Sequence, residues 1–288
     1  MASFRERVLK GEVVAGAWCN LGSSITVEMA VLTGFDWVCI DQEHGPGETD
    51  RLLHQLQSIG SLPTAGIVRI AWNEIYLFKR ALDLGAAGIM VPYVENGEEA
   101  DRAAKAMRYP PEGRRGIAGT PRAAGYGPGF EDYRSRANRE LLTVVQIETK
   151  TALGNLEEIA ATDGVDVLFV GPLDLSTNLG LTSSFGNPAF DEVIRKVAQT
   201  SRRLGKAAGI LVPGAEWIGP VVDMGFTFIA SGTDGGYVVK AMRENLDQLR
   251  RHVGRRHRKG IELQGQVLLL ARHTQVEQQD ARHAGFFV

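Results

Sequence analysis

Cysteine is scarce in this chain. There are two, Cys19 and Cys39, and no pair or quartet has metal-ligand spacing. Each lies in or just after an apolar run, so both are expected as buried free thiols in a reducing compartment. Long apolar runs are missing as well. No stretch approaches the roughly 18 residues of a membrane span, and the opening MASFRERVLKGE lacks the apolar core of a secretory signal. The expectation is a cytoplasmic protein. Charge of one sign is also absent: 32 Lys and Arg balance 34 Asp and Glu, a net −2. That leaves no electrostatic case for nucleic acid or an anionic membrane as partner. Of six histidines, His44 and His54 alone precede residue 252. His54 falls in the helical pattern RLLHQLQSIG, as a surface or packing residue, so His44 is the candidate imidazole for acid–base work.

What is present is a large apolar complement, 44% of 288 residues, with 23% charged, the balance of a globular protein. Eight short apolar runs recur: VVAGAW (13–18), DWVCI (36–40), AGIVRI (65–70), AAGIMV (86–91), LTVVQI (142–147), DVLFV (166–170), AAGILV (207–212) and FTFIA (226–230). Helical patterns separate most of them. SSITVEMAVLTG has a Ser cap and a Gly stop, NEIYLFKRALDLG an Asn cap, and NPAFDEVIRKVAQTSRRLG has Asn187 as cap and Pro188 at the first helical position. GAEWIGPVVDMG is shorter and interrupted by Pro220. Strands this continuously apolar belong to a parallel sheet covered on both faces, and eight units predict a closed (β/α)8 TIM barrel. An open doubly wound sheet is the alternative, but NLGSS after the first strand is no dinucleotide fingerprint. Two stretches break the rhythm. Residues 108–140 form a long Gly/Pro/Arg-rich connection, and residues 254–288 form a basic, irregular tail. The barrel is assigned to 1–253 and the tail is taken as a C-terminal appendage.

Such barrels place their chemistry at the C-terminal ends of the strands. In this chain those ends carry Asp41, Glu43 and His44 after the second strand, Arg69 in the third, Glu148 after the fifth, Asp174 after the sixth, and Val212 and Pro213 at the seventh. Glu148 and Asp174 read either as first-turn acids at helix N-termini or as ligands of a hard cation, Mg²⁺, Mn²⁺ or Co²⁺. Arg69 reads as the partner of Glu43 or another rim acid, or as a cation aimed at an anionic substrate or oxyanion. Asp83, near a helix C-terminus, opposes the helix dipole and wants a partner, for which His44 is a natural choice. No lysine is placed to form an imine at the barrel mouth. The loop YPPEGRRG reads equally as a rigid connector or as an inter-subunit or active-site lid delivering Arg115 or Arg122 to a distal carboxylate.

DQEHGP (41–46), GIVRI, KRALDLGAAGIMVP (79–92), RYPPEGRRG (108–116), RAAGYG (122–127), VVQIET (144–149) and GVDVLFVGPLDLS (164–176) occur in order. Together they resemble the HpcH/HpaI aldolase family, over about residues 4–250. The resemblance implies a barrel of the phosphoenolpyruvate/pyruvate-binding type and a class II aldolase, joining pyruvate, as its enolate, to an aldehyde or cleaving a 4-hydroxy-2-oxo acid. It implies Glu148 and Asp174 as ligands of a divalent metal, Arg69 at the pyruvyl oxygen, His44 as acid–base residue and Asp83 as its dyad partner. Trp18, Asp41, Gly171, Pro172 and Val212 match substrate-pocket positions, Val212 being one that varies with the aldehyde. A homohexamer, a trimer of dimers, is implied too, with the last helix exchanged between subunits. Other readings are a citryl- or malyl-CoA lyase, an oxaloacetate decarboxylase or enolate-using synthase, and a non-catalytic barrel.

Overall fold

The structure, a computed structural model, describes residues 2–181 and 185–253. The expected tail, 254–288, lies outside the described residues. Eight parallel strands close in sequence order: β1 (Val14–Cys19), β2 (Trp37–Asp41), β3 (Ala65–Arg69), β4 (Gly88–Val91), β5 (Leu142–Ile147), β6 (Val167–Val170), β7 (Ala207–Val212) and β8 (Phe228–Thr233). β8 returns to β1 through Val14↔Phe228 and Gly16↔Ala230. The fold is a (β/α)8 TIM barrel, and each predicted strand lies within two or three residues of its observed bounds.

Around the strands run α1 (Phe4–Leu9), α2 (Ser24–Thr33), α3 (Thr49–Ile59), α4 (Ile75–Asp83), α5 (Gly97–Met107), α6 (Phe130–Glu140), α7 (Lys150–Gly154), α8 (Leu156–Ala161), α9 (Pro172–Asn178), α10 (Pro188–Arg203), α11 (Ile218–Met224) and α12 (Asp234–Val253). The described residues fall into two units, one ending at Val239 and holding all eight strands, the other beginning at Lys240 within α12.

The local signals act as chemistry requires. Ser23 accepts the Ile25 N–H at the start of α2, and Gly34 ends that helix in the left-handed conformation at φ 98°. Asn187 caps α10 by accepting from Ala189, with Pro188 first in the helix. Pro220 does not interrupt α11. It sits at the third helical position, where a missing N–H has no intrahelical partner to lose. Two expectations need correction. The cap of α4 is Glu74, because the Asn73 side chain donates instead to the Glu99 carbonyl at 3.0 Å. The connection 108–140 is not loop throughout, since its last third is α6. That helix buries only Ala137 and ties itself together with Arg136–Asp132 and Arg136–Glu140 pairs one turn apart, so it shows little apolar period.

Successive strand residues point to opposite faces, and the closed barrel sorts them into two cores. Trp37, Cys39, Ile67, Met90, Val144, Val167, Phe169 and Phe228 fill the inside. Val38, Ile40, Val68, Ile89, Val145, Leu168, Val170, Ile210 and Val212 pack outward against the helices. The indole of Trp37 stacks on Phe228 at 3.9 Å, and α1 closes the N-terminal end with Phe4 and Val8. The interior is therefore solid below and polar only at the open C-terminal rim. Both cysteines are buried free thiols, and burial pushes Cys19 up to about 12.

Packing at the closed end gives a test. A Cβ on Gly16 would lie 2.1 Å from the Trp37 ring. Gly16→Ala is expected to destabilise the barrel by about 1–3 kcal/mol, seen as a lower guanidinium midpoint at unchanged slope. An unchanged midpoint would show that the Trp37–Phe228 stack yields freely.

Candidate active site

Alternation places Trp18, Asp41, Arg69 and Gln146 on the inward face at the top of their strands, with Glu148 two residues beyond Gln146 in the same phase. Arg69 is 7% exposed. Its Nε and Nη2 donate to Asp41 at 3.0 and 2.6 Å, and its Nη1 lies 2.9 Å from Glu43 Oε2. The guanidinium also lies over the Trp18 ring at 4.7 Å. Asp41 accepts the Trp18 Nε1–H at 3.2 Å and the backbone N–H groups of Glu43 and His44 at 3.0 and 3.1 Å. Burial pushes the Asp41 carboxyl up, but the hydrogen bond and charge of Arg69 outweigh it, and the net shift is downward. The dense cluster DQEHGP thus follows an apolar strand because one carboxylate both neutralises a buried cation and folds its own loop.

Among the described residues, Glu148 has no such cation bonded to it. It is 2% exposed, accepts the Tyr93 N–H at 2.8 Å and receives Gln146 Nε2 at 2.9 Å. Burial first, then the charges of Glu43 and Asp174, push it up to about 7 against the opposing Tyr93 hydrogen bond. Glu43 is raised as well, chiefly by burial. Asp174 stands in the first turn of α9, behind Gly171 as cap and Pro172 as first helical residue. Gly171 is glycine for a reason of space, since a Cβ there would sit 2.5 Å from Glu148 Oε2. Glu43 and Asp174 thus act by charge on Glu148, beside a guanidinium that is already paired. Gln146 Oε1 is buried without a partner among the described residues. An open pair of oxygen donors with excess negative charge suits a hard divalent cation. Among the described residues no trio of His, Cys, Asp and Glu forms a closed ligand set.

Not every expected residue reaches this site. The His44 side chain is at the rim, 67% exposed, with Nε2 3.9 Å from Glu43 Oε1. Asp83 is not beside it in the same chain. It ends α4, on the way back to the start of β4, and binds Arg115 at 2.9 Å. Arg115 is fully buried, donates to Tyr133 Oη at 2.9 Å and lies over the Tyr109 ring at 4.4 Å. Arg122 donates to the Leu84 and Leu56 carbonyls at helix ends. Neither arginine is a lid over this chain's mouth. Val212 packs in the outer core, and Leu211 is the inward residue of β7, because adjacent strand residues face opposite ways. Sequence reasoning missed Gln146, although its spacing from Glu148 signalled it. It also missed Tyr93, whose φ of 50° has no sequence signature in a non-glycine residue.

These features define an eight-stranded α/β barrel whose acids and one buried arginine converge on the C-terminal rim, the layout of a barrel enzyme. The family profile for HpcH/HpaI aldolase/citrate lyase matches residues 15–241, and the chain belongs to that family. A 5-keto-4-deoxy-D-glucarate aldolase of Klebsiella pneumoniae is 36% identical over 248 residues, covering 86% of this chain and 96% of that one. A pyruvate aldolase of Rhizobium etli is 39% identical over 231 residues, covering 80% and 91%. The crystal structure of an HpcH/HpaI aldolase/citrate lyase family protein from Burkholderia cenocepacia J2315 superposes with a TM-score of 0.82 at 34% identity, covering 85% and 98%.

The raised carboxyl of Glu148 makes a stability prediction. Between its ordinary 4.5 and about 7 the native, metal-free protein holds a proton that the unfolded chain has released. The native state binds more protons, so this group's contribution falls as pH rises through that window. EDTA-treated protein is expected to lose on the order of 3 kcal/mol from this group between pH ~5 and ~7. Glu148→Gln should flatten the curve in urea titrations. A Gln variant with the wild-type pH slope would mean that Glu148 ionises normally.

Proposed function

We propose that this chain is a carbon–carbon lyase, a class II aldolase that joins pyruvate to an aldehyde and cleaves the resulting 4-hydroxy-2-oxo acid. One observation carries the proposal: Glu148 is a buried, incompletely neutralised carboxylate at the end of β5, within reach of the charge of Asp174. Glu148 and Asp174 are the residues that would hold Mg²⁺, Mn²⁺ or Co²⁺. Such an ion would polarise the keto group of pyruvate as a Lewis acid.

The chain's own residues account for the remaining steps. A guanidinium has five N–H donors. Two of Arg69's are donated to Asp41, and Nη1 is paired with Glu43 by charge without a hydrogen bond, which leaves three for the oxygen that gains charge when the pyruvate methyl loses a proton. Asp41 fixes that guanidinium in place, and Trp18 supports both. In the condensing direction the enolate carbon attacks the aldehyde carbon and the aldehyde oxygen takes a proton. In cleavage the 4-hydroxyl returns that proton. His44, exposed on a loop pinned by Asp41, is the group assigned to move it. Gly171 and Pro172 line the Glu148 side of the pocket. Asp83 lies too far down the same chain to serve this His44, so a His44–Asp83 dyad requires a second copy.

That requirement fits a homo-oligomer, proposed as a hexamer of three dimers. α2 exposes Ile25, Met29 and Leu32 along one stripe, and α12 exposes Val238, Met242 and Leu249. A cytoplasmic location is proposed from the two free buried thiols. No helix among the described residues is long and apolar enough to cross a membrane.

The test needs no knowledge of the aldehyde. Pyruvate methyl protons are expected to exchange with D₂O in an NMR assay, to stop exchanging with EDTA, and to resume with Mg²⁺, Mn²⁺ or Co²⁺. Arg69→Ala is expected to slow exchange about 100- to 1000-fold, the loss of one oxyanion donor. Exchange indifferent to EDTA would point to imine chemistry, and near-wild-type exchange in Arg69→Ala would remove the arginine from the mechanism.

A further inference from the structure

Two large aromatic side chains stand exposed beside this site. Trp72 follows β3 three residues after Arg69, and Tyr93 follows β4 two residues after Val91, so both are on the C-terminal rim of neighbouring strands. Their rings stack at 5.8 Å with an interplanar angle of 30°. Trp72 is 53% exposed and Tyr93 38%. Tyr93 is held in the left-handed region, φ 50°, while its own N–H donates to Glu148 Oε1 at 2.8 Å. A strained backbone at a non-glycine residue persists only where its surroundings hold it. Here the hydrogen bond to the buried carboxylate does so, and it directs the ring beside the mouth. The phenol is close enough to feel Asp174, Glu148 and Glu43, whose charges, after burial itself, raise its pKa.

We infer that the Trp72–Tyr93 pair is the platform on which the aldehyde partner is selected, and that it selects uncharged aldehydes with a flat apolar face over aldehydes that end in a carboxylate. This rests on the aldolase reading above. Two physical terms point the same way. The faces of aromatic rings carry a negative quadrupole, which favours another apolar or aromatic surface and disfavours an anion. The nearby cation, Arg69, is already paired with Asp41 and Glu43, so a carboxylate on the aldehyde finds no free counter-charge there.

The experiment compares kcat/KM for pyruvate addition to benzaldehyde and to succinate semialdehyde, in the wild-type full-length protein and in Trp72→Leu, Trp72→Phe and Tyr93→Leu. Wild type is expected to favour benzaldehyde. Trp72→Leu and Tyr93→Leu are expected to lower that preference about 10-fold each, the scale of one lost aromatic contact, and Trp72→Phe to retain most of it. The ratio is taken within each variant, so a general loss of activity or stability cancels. A wild type that favours succinate semialdehyde, or a ratio unmoved in both Leu variants, overturns the inference. So does a change of assembly mass in light scattering with an unmoved ratio, which would make the pair a subunit contact. Pyruvate methyl exchange in the wild type separates the two levels. If exchange occurs and the ratio does not move, the platform alone falls. If exchange is absent, the aldolase reading falls and takes the platform with it.

Discussion

Arg69 carries its charge inside the mouth of a barrel, where a lone cation is costly, and much of the rim follows from how that charge is met. Asp41 meets it with two hydrogen bonds on the adjacent strand, and Glu43 adds an ion pair from the loop that follows. The partners are the last residue of β2 and the loop directly after it, so holding Arg69 also determines the path of that loop and the position of His44. Trp18 lies beneath the guanidinium and bonds to the same Asp41. A buried pair of this kind holds geometry more than it adds stability. With Arg69 committed to β2, Glu148, just past the end of β5, is left short of a counter-charge.

Barrel closure restricts where such a cluster can exist. The inside of a small barrel is a packed core, and here aromatic and branched side chains fill its lower part while α1 covers the end. Charged groups fit only at the opposite rim, where strands end and water enters. Neighbouring strands then bring together residues far apart in the chain: Asp41, Arg69, Glu148 and the Gly171–Asp174 turn belong to four different strand ends. The barrel itself is shared with a solved HpcH/HpaI family structure.

Arg115 shows the other use of buried charge. It lies between Tyr109 and Tyr133 and holds Asp83 at the end of α4. The long connection after α5 is thereby anchored to the barrel wall. Arg122 adds to this by bonding to carbonyls near the ends of α3 and α4, the groups that a helix leaves without donors. The glycine- and proline-rich loop is therefore a fastened strap within the chain, and Asp83 is presented on a rigid support.

The sequence alone determined the strands, most of the helices and the site's acids and arginine. Those depend on local patterns: continuous apolar runs, Ser and Asn caps, and polar residues at strand ends. Alternation within VVQIE was also readable, although its consequence for Gln146 was not drawn. Three things were decided only by tertiary structure. α6 is helical although its pattern is polar nearly all round, because one buried alanine and i,i+4 ion pairs suffice once the barrel is in place. The side to which a strand turns its last residue separates Val212 from Leu211, and that follows from the phase of the whole strand in the closed sheet. Which charges meet is a matter of distance across the fold: Asp83 and His44, 39 residues apart in sequence, lie at opposite ends of the barrel, while Arg69 and Asp41 share a register pair. Charge pairing in a folded chain depends on separation in space, and sequence spacing carries that information only within one strand or one helical turn.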